Sequence, residues 1–279
     1  MSQQADLQTP PTHQEHIKGV FSTQETRTLG TGTTQRKTVY KTYHFIEQNA
    51  EGEIECRALN TNFVPSGPKR KITLEELMEQ FSPEPEYYMS SVYPKMQELQ
   101  RAIDNADAHR ANGETFAAEF EYGTALKVDE ENVRANFGIG LTYLQRGEND
   151  KADNIFERLV KLDATFQPEH KHMFNDFGIN LRKAKMYTQA VEYFSRALEI
   201  TSDDDNLHIN IARALFECKK IDECVTHLLK ALELVPGQEQ ATKFLLWLLD
   251  RKLVAEPVVA RIHQALGQEG GQTETPDSA

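Results

Sequence analysis

The sequence predicts a mainly α-helical protein. We expect a solenoid of helical hairpins with capping helices at its C-terminal end, preceded by a small ββα unit and a disordered N-terminal tail. Two observations predict this arrangement. Apolar and small residues recur every three or four positions through residues 99–238, which is the period of an amphipathic helix. Residues 36–59 instead carry β-branched and aromatic residues in a run that is typical of strands.

The first 35 residues are rich in Gln, Thr, Gly and Pro and show no apolar periodicity, so we expect residues 1–35 to form a disordered tail. One short apolar segment, residues 17–22, interrupts this composition. Two interpretations of the segment stay open at this point. It is part of a plain linker, or it becomes ordered by docking on another part of the chain.

Residues 36–82 are predicted to form the ββα unit. The run TVYKTYHFIEQ and a second alternating segment, residues 53–59, are joined by a Gly-containing turn, which is a hairpin signal. An isolated hairpin is only marginally stable in water, so it needs a packing partner. A helix over residues 72–81 supplies one, because Thr73 and Glu76 fit a capping box and the apolar residues that follow share one helical face.

The best-defined helical hairpin lies between Val133 and Phe166, with its turn at Gly147. A single pair of amphipathic helices cannot bury its own apolar face, so it needs neighbours with the same pattern. The positions of small residues indicate such neighbours. In the first helices these residues are Ala106, Gly140, Gly178 and Ala212, spaced 34, 38 and 34 residues apart. In the second helices they are Ala118, Ala152, Ala190 and Cys224, with the same three spacings.

This pattern resembles the tetratricopeptide repeat (TPR), a helix–turn–helix unit of 34 residues. The resemblance covers about half of the chain, with units near residues 99–132, 133–166, 171–204 and 205–238. The longer middle interval predicts an insertion at residues 167–170. The resemblance implies a stack of helical hairpins that binds other proteins and has no catalytic activity.

The C-terminal region is predicted to close the solenoid. Residues 239–249 form a strongly apolar helix, and a shorter helix runs from Pro257 to Leu266 and ends at Gly267. The predicted organisation is a tail over 1–35, the ββα unit over 36–82, the solenoid over 83–266 with caps at 239–266, and a disordered tail over 267–279.

Composition narrows the possible functions. The formal net charge of −12 argues against binding nucleic acid, because that task needs a basic face. The sequence contains no apolar run near the roughly 20 residues that a membrane-spanning helix requires, so we expect no membrane partner. The first 30 residues lack the apolar core of a secretory signal, and the three cysteines form no CxxC motif. These features together predict a cytoplasmic protein.

The sequence contains no recognisable catalytic motif and no pattern of metal ligands, so no enzyme activity, cofactor or metal is predicted. His170 and His172 are two positions apart, which directs helical side chains away from each other. Cys218 and Cys224 flank a predicted turn. Cys224 replaces an alanine in the repeat pattern, so it is interpreted as a small core residue.

The resemblance also implies a binding surface, since the first helices of such repeats line a concave groove. Three arginines there, Arg134, Arg182 and Arg213, suit a peptide or helix that carries carboxylates. A second interpretation stays open, in which the apolar groove residues are core and the arginines pair with neighbouring aspartates. The full predicted groove consists of Arg134, Phe137, Leu141, His172, Asn175, Ile179, Arg182, Asn206, Ile209, Arg213 and Phe216.

We therefore expect an adaptor or scaffold that holds a peptide or helix of a partner protein. The alternative is a structural subunit or homo-oligomer whose groove is filled by its own N-terminal segment or by a second copy. Recognition of a chaperone C-terminus is not supported. The carboxylate clamp of the chaperone-binding TPR proteins would require Lys and Asn where this chain has Ile103 and Asp107.

Overall fold

The computed structural model describes residues 16–29, 36–162, 170–200 and 204–269. The chain forms two compact units, residues 1–99 and 100–279. This division differs from the predicted boundary near residue 83, because the segment after Pro83 packs with the first unit. Of the predicted tails over 1–35 and 267–279, residues 1–15, 30–35 and 270–279 lie outside the described residues, as do residues 167–169 of the predicted insertion at 167–170.

The first unit is built on an antiparallel sheet. Its strands occur in the spatial order β4-β3-β2-β1-β5. Their bounds are β1 Lys18–Leu29, β2 Arg36–Gln48, β3 Ile54–Ala58, β4 Arg70–Ile72 and β5 Ser82–Pro83. The predicted hairpin is confirmed as β2 and β3, whose turn is closed by Asn49, since its side-chain oxygen accepts hydrogen bonds from the backbone N–H groups of Glu51 and Glu53.

The prediction of a disordered tail is wrong for residues 18–29, and the ββα unit is incomplete without them. These residues form β1, which pairs with β2 from Lys18↔Glu47 to Leu29↔Arg36. The strand escaped detection because it contains few apolar residues, yet Val20 is buried in the sheet core. Residues 17–22 are therefore already committed to this sheet, rather than available as a loose docking segment.

Helices cover both faces of the sheet. Helix α1 (Leu74–Gln80) begins as predicted, since the Thr73 hydroxyl accepts a hydrogen bond from the Glu76 backbone N–H at 3.0 Å. On its side of the sheet, Leu77 packs with Ile46 and Cys56. The opposite core contains Val20, Phe45 and Val92. A short helix α2 (Pro85–Tyr87) and a π-helical turn (Tyr88–Val92) lead into α3 (Tyr93–Ala111).

The second unit consists of antiparallel helical hairpins, as predicted. The pairs are α3 with α4 (Thr115–Val128), α5 (Val133–Arg146) with α6 (Asn149–Lys161), α7 (Lys171–Lys183) with α8 (Tyr187–Ile200), and α9 (Asp205–Glu217) with α10 (Ile221–Leu234). The α5–α6 turn contains Gly147 in the left-handed region, at φ 74°. Glycine adopts this conformation without the steric cost that a side chain would add.

Close packing between helices explains the recurring small residues. Ala106, Ala118, Ala152, Ala190, Ala212 and Cys224 are all fully buried. A Cβ atom built on Gly178 would lie 2.4 Å from Cζ of Phe194, so an aromatic ring of the second helix occupies that space. The paired small and aromatic positions therefore bring the two helices of a hairpin together.

Two further helices follow the hairpins: α11 (Glu239–Asp250) and α12 (Glu256–Glu269). Both were predicted, although α12 continues past Gly267, where the sequence predicted its end. Leu245 and Leu248 of α11 are fully buried, as is Ile262 of α12. This burial ties both helices into the second unit.

Candidate functional site

The structure divides the predicted groove residues into core residues and accessible ones. Phe137 and Ile209 are each 1% exposed, so both belong to the core and not to a binding surface. The ring of Phe137 lies edge-on to Phe177, with ring centroids 5.6 Å apart. Prediction of these two residues as groove contacts is therefore corrected. The remaining accessible positions are half-buried at Leu141, Asn175, Ile179, Arg182, Arg213 and Phe216, and exposed at His172 and Asn206.

Arg134 is accessible, but its guanidinium is already paired with two carboxylates of the chain. Its guanidinium forms ion pairs with Asp104 at 3.1 Å and with Asp107 at 2.6 Å. Asp107 also accepts a hydrogen bond from the Tyr122 hydroxyl. This is the alternative that the sequence left open, in which a groove arginine pairs with neighbouring aspartates.

Three of the accessible residues line a cleft formed by helices α7, α9 and α11, whereas Leu141, His172, Asn175, Ile179 and Asn206 lie outside its lining. Its volume is about 530 Å³. This cleft brings together three predicted residues, Arg182, Arg213 and Phe216, and joins them to residues of α11 that the prediction missed. Its lining consists of Arg182, Arg213, Phe216, Glu217, Gln240, Lys243, Phe244 and Trp247.

Three aromatic rings form one wall of the cleft. The ring centroid of Phe216 lies 5.6 Å from that of Phe244 and 5.4 Å from that of Trp247, both in edge-to-face geometry. Trp247 is nevertheless 40% exposed, and its neighbour Leu246 is 51% exposed. Aromatic rings fixed in this way offer apolar contact area at little cost in conformational entropy.

Two arginines give the cleft its positive charge. Arg213 donates a hydrogen bond to the Gln240 side chain at 2.8 Å. Neither Arg182 nor Arg213 forms an ion pair with any of the described residues. Burial lowers the pKa of Arg213, and the nearby positive charge of Arg182 lowers this pKa further. Keeping Arg213 protonated therefore costs free energy, and a bound anion would reduce this cost.

The remaining charges of the cleft leave this excess in place. Lys243 pairs with Glu239 on the exposed side of α11. Glu217 is the acidic residue of the lining, against three basic residues. The cleft is therefore locally positive, although the formal net charge of the whole chain is −12.

Hydrogen bonds at the helix starts hold α9 and α11 side by side. The Asp204 carboxylate accepts from the backbone N–H groups of Asn206 and Leu207, which caps α9. Gln238 caps α11 in the same way, and its side-chain amide donates to Asp205 at 2.9 Å. The cap of α11 is thus attached to the first turn of α9, which fixes the spacing of the cleft walls.

The α11 residues were missed because this helix was treated as a cap alone. A signal was present in the sequence. Shifting three buried residues of α9 by 34 positions leads to three buried residues of α11, which shows that α11 continues the repeat pattern. The pairs are Leu207 and Ala241, Ile211 and Leu245, and Ala214 and Leu248. The same shift places Trp247 at the position of Arg213.

Within the residues that the structure describes, no three His, Cys, Asp or Glu side chains cluster closely enough to hold a metal ion. None of the described helices combines the length and apolar character that crossing a membrane demands. Cys224 is fully buried, and burial raises the pKa of its thiol to about 12, so this thiol stays protonated.

Comparison with known proteins agrees with the repeat geometry. Two sequence models, both described as tetratricopeptide repeat, match residues 133–166 and 181–246. The first match coincides with the α5–α6 hairpin and the second extends into α11. The second unit is an array of stacked helical hairpins. Residues 133–166 and 181–246 therefore carry tetratricopeptide repeats, and such repeats mediate protein–protein interactions.

Curated relatives match part of this chain. Anaphase-promoting complex subunit 3 of Schizosaccharomyces pombe is 25% identical over 138 residues, which is 50% of this chain and 20% of the relative. The type IV pilus assembly protein PilF of Pseudomonas aeruginosa is 28% identical over 133 residues, which is 43% of this chain and 51% of the relative. The chain thus spans between a fifth and about half of the length of these relatives.

Two solved structures align with part of this chain. MamA from Desulfovibrio magneticus RS-1 aligns with a TM-score of 0.44 and 15% identity, over 63% of this chain and 98% of that chain. YrrB, described as a TPR protein with an unusual peptide-binding site, aligns with a TM-score of 0.41 and 20% identity. This alignment covers 61% of this chain and 86% of YrrB.

Proposed function

We propose that this protein is a non-catalytic adaptor whose α7–α9–α11 cleft holds an extended acidic segment of a partner protein. The observation that carries the proposal is the combination of two arginines and three aromatic rings in one cleft. Arg182 and Arg213 have no ion-pair partner among the described residues. The rings of Phe216, Phe244 and Trp247 stand beside them.

The arginines favour a carboxylate ligand. A guanidinium presents its N–H donors in a fixed fork that matches the two oxygens of a carboxylate, and such charge-assisted pairs are stronger than neutral hydrogen bonds. Arg213 is half-buried and lies near a second positive charge, so binding an anion removes an unfavourable interaction as well as adding a favourable one. A ligand with two carboxylates could engage both arginines.

The aromatic wall favours an apolar anchor beside the carboxylates. Affinity at protein interfaces is concentrated in a few large side chains that fill pockets, while surrounding polar contacts set orientation. A volume of about 530 Å³ accommodates a few side chains of a peptide but not a folded domain. The expected motif therefore places Asp or Glu near Leu, Phe or a similar residue.

A randomised peptide library displayed on phage tests this proposal without knowledge of the partner. The full chain should enrich sequences that combine acidic residues with an aliphatic or aromatic residue. Parallel selection on Arg182→Gln/Arg213→Gln should lose the enrichment in acidic residues but keep part of the apolar preference. Selection on Lys183→Gln, an exposed residue of the same helix as Arg182, serves as the matched control.

Two results would overturn the proposal. One is a selected set with no excess of Asp and Glu over the starting library. The other is an acidic preference that persists unchanged in the double arginine variant, since that would place the anion-binding site elsewhere on the chain.

A further inference from the structure

The hairpin of β1 and β2 extends beyond the rest of the sheet. On the outer side of β1, strand β5 pairs only with Phe21 and Ser22. On the outer side of β2, the register of β3 ends at His44, and Leu59 donates one further backbone hydrogen bond to the Tyr43 carbonyl. From Thr23 to Leu29, β1 therefore pairs with β2 alone within the described residues, and this part of the hairpin is a two-stranded ribbon.

Hydrogen bonds nearer the sheet identify the residues of β1 that face its open edge. The carbonyl of Ile17 accepts from Gln48, on the side of β2, whereas the carbonyl of Val20 accepts from Glu84, on the outer side. The N–H and C=O groups of successive strand residues point to alternate sides. Gln24 and Thr26, and then Thr28, therefore direct their backbone groups toward the open edge.

An open edge of this kind is a template for strand pairing. A two-stranded ribbon is also only marginally stable in water, and it gains stability from a third strand. The two edges of this ribbon differ in charge. Along β2 the corresponding stretch contains Arg36, Lys37 and Lys41 and no acidic residue, and edge lysines oppose pairing with another strand.

The sequence of the β1 edge is complementary to itself. Around Thr26 it reads Gln24, Glu25, Thr26, Arg27, Thr28. If two copies of this strand run antiparallel about a two-fold axis at Thr26, each Glu25 lies opposite Arg27 of the other copy. The outward backbone groups then match as well, because Thr26 faces Thr26 and Gln24 faces Thr28.

We propose that a second copy of this chain pairs with the outer edge of β1, so that two ribbons join across a two-fold axis at Thr26. The interface is isologous, as in most homodimers. Opposite charges directly across antiparallel strands stabilise the pairing, whereas like charges destabilise it. This assembly does not depend on the cleft of the second unit, so the two proposals stand or fall separately.

Exchanging the charges at positions 25 and 27 tests the proposed register. The dimerisation of each full-length variant is measured by sedimentation equilibrium. Glu25→Arg would set Arg opposite Arg at two places in the interface, and Arg27→Glu would set Glu opposite Glu. We expect each single variant to weaken dimerisation by about tenfold or more. The double variant Glu25→Arg/Arg27→Glu restores opposite charges at both places, so dimerisation should return close to that of the original chain.

In the register of the hairpin, Glu25 lies opposite Tyr40 and Arg27 opposite Thr38, so the exchange sets no like charges directly across from β2. Lys37→Glu, on the other strand of the ribbon, is the matched control and should leave the dimer unchanged. A second variant tests the backbone directly. Thr26→Pro removes an N–H that points to the open edge, where proline is tolerated in an edge strand, so the hairpin should remain and the dimer should be lost.

Three outcomes would overturn the proposal. The chain could be monomeric at every concentration up to about 1 mM, where weak specific association becomes visible. The single charge variants could dimerise as well as the original chain, which would place the interface elsewhere. The double variant could fail to recover dimerisation while circular dichroism shows an intact fold, which would exclude this register.

Discussion

The ring of Phe177 occupies the space that a side chain on Gly140 would need. A Cβ atom built on Gly140 would lie 2.6 Å from Cε2 of Phe177 and 3.0 Å from Cγ2 of Ile155. Gly140 is in α5, Phe177 in α7 and Ile155 in α6, so this one contact joins the two helices of a hairpin to the next hairpin. Contacts of this kind explain why small residues recur every 34 or 38 positions in the sequence.

Gly140→Leu should therefore destabilise the protein by overpacking, by about 1–3 kcal/mol. Urea unfolding followed by circular dichroism measures this change. Gly123→Leu in α4 is the matched control, because a Cβ atom there meets no other atom within 4 Å. Leucine is a better helix former than glycine, so the control should be as stable as the original chain or slightly more stable. Equal destabilisation by both variants would contradict the close approach at Gly140.

Charge reversal at Arg182 should abolish binding of an acidic peptide and leave the fold intact. Arg182 forms no ion pair with the described residues, so its replacement by Glu breaks no internal salt bridge. The melting temperature should stay nearly constant, as expected for accessible surface positions. Lys183→Glu changes the same charge on an exposed neighbour and should retain binding. A large fall in the melting temperature of Arg182→Glu would show a structural role instead.

Arg134→Gln should have little effect on peptide affinity, although Arg134 was predicted from sequence as part of the same groove. Its guanidinium is already paired with Asp104 and Asp107. The Arg134 side chain is 42% exposed, so we expect a loss of stability of at most about 1 kcal/mol. Fluorescence anisotropy with a labelled acidic peptide measures the affinity, and a tenfold loss would extend the binding site to α5.

The stability of the second unit should fall in mild acid because of a histidine pair between α9 and α10. The Nδ1 atoms of His208 and His227 are 2.9 Å apart, so one ring donates a hydrogen bond to the other and both cannot be protonated without repulsion. Burial lowers the pKa of both histidines below the usual 6.5. The other charged groups acting on the pair are Lys230, which opposes protonation, and Asp204, Asp205, Glu233 and Glu223, which favour it.

The direction of the pH effect follows from these lowered pKa values. Below about pH 6.5 the unfolded chain takes up protons that the folded chain does not, so stability is full above this pH and decreases as the pH falls. Melting temperatures between about pH 7.5 and 5.5 measure the decrease. His227→Asn should flatten the pH profile, whereas the exposed His263→Asn should not. A profile that is unchanged in His227→Asn would contradict the role of the pair.

Periodicity was sufficient to predict the helical hairpins, because close helix packing requires small residues at regular positions in the sequence. A small residue at a helix crossing, such as Gly178, faces a large one, such as Phe194. These small residues recur at intervals of 34 or 38 residues. The same reasoning did not identify β1, because a polar strand buries few side chains. Its pairing with β2 depends on backbone hydrogen bonds, which any residue except proline can make.

The candidate site was predictable only in part. Helical period placed Phe137 and Arg182 on related faces, but it could not show that the next hairpin covers Phe137 while Arg182 stays accessible. That distinction depends on contacts between residues far apart in sequence, such as Phe137 with Phe177. The contribution of α11 was missed for a different reason, since the predicted repeats end at residue 238.

Fluorescence titration of the cleft tests the central claim most directly, because Trp247 is the only tryptophan in the chain and lines the cleft. The ligand is a library-selected acidic peptide, compared with the same peptide carrying Asn and Gln in place of Asp and Glu. We predict that the acidic peptide shifts the Trp247 emission in a saturable manner, and that the amide peptide, or Arg182→Gln/Arg213→Gln, weakens binding by about tenfold or more. Saturable binding of both peptides with equal affinity, or binding with no change in Trp247 emission, would contradict the proposed site.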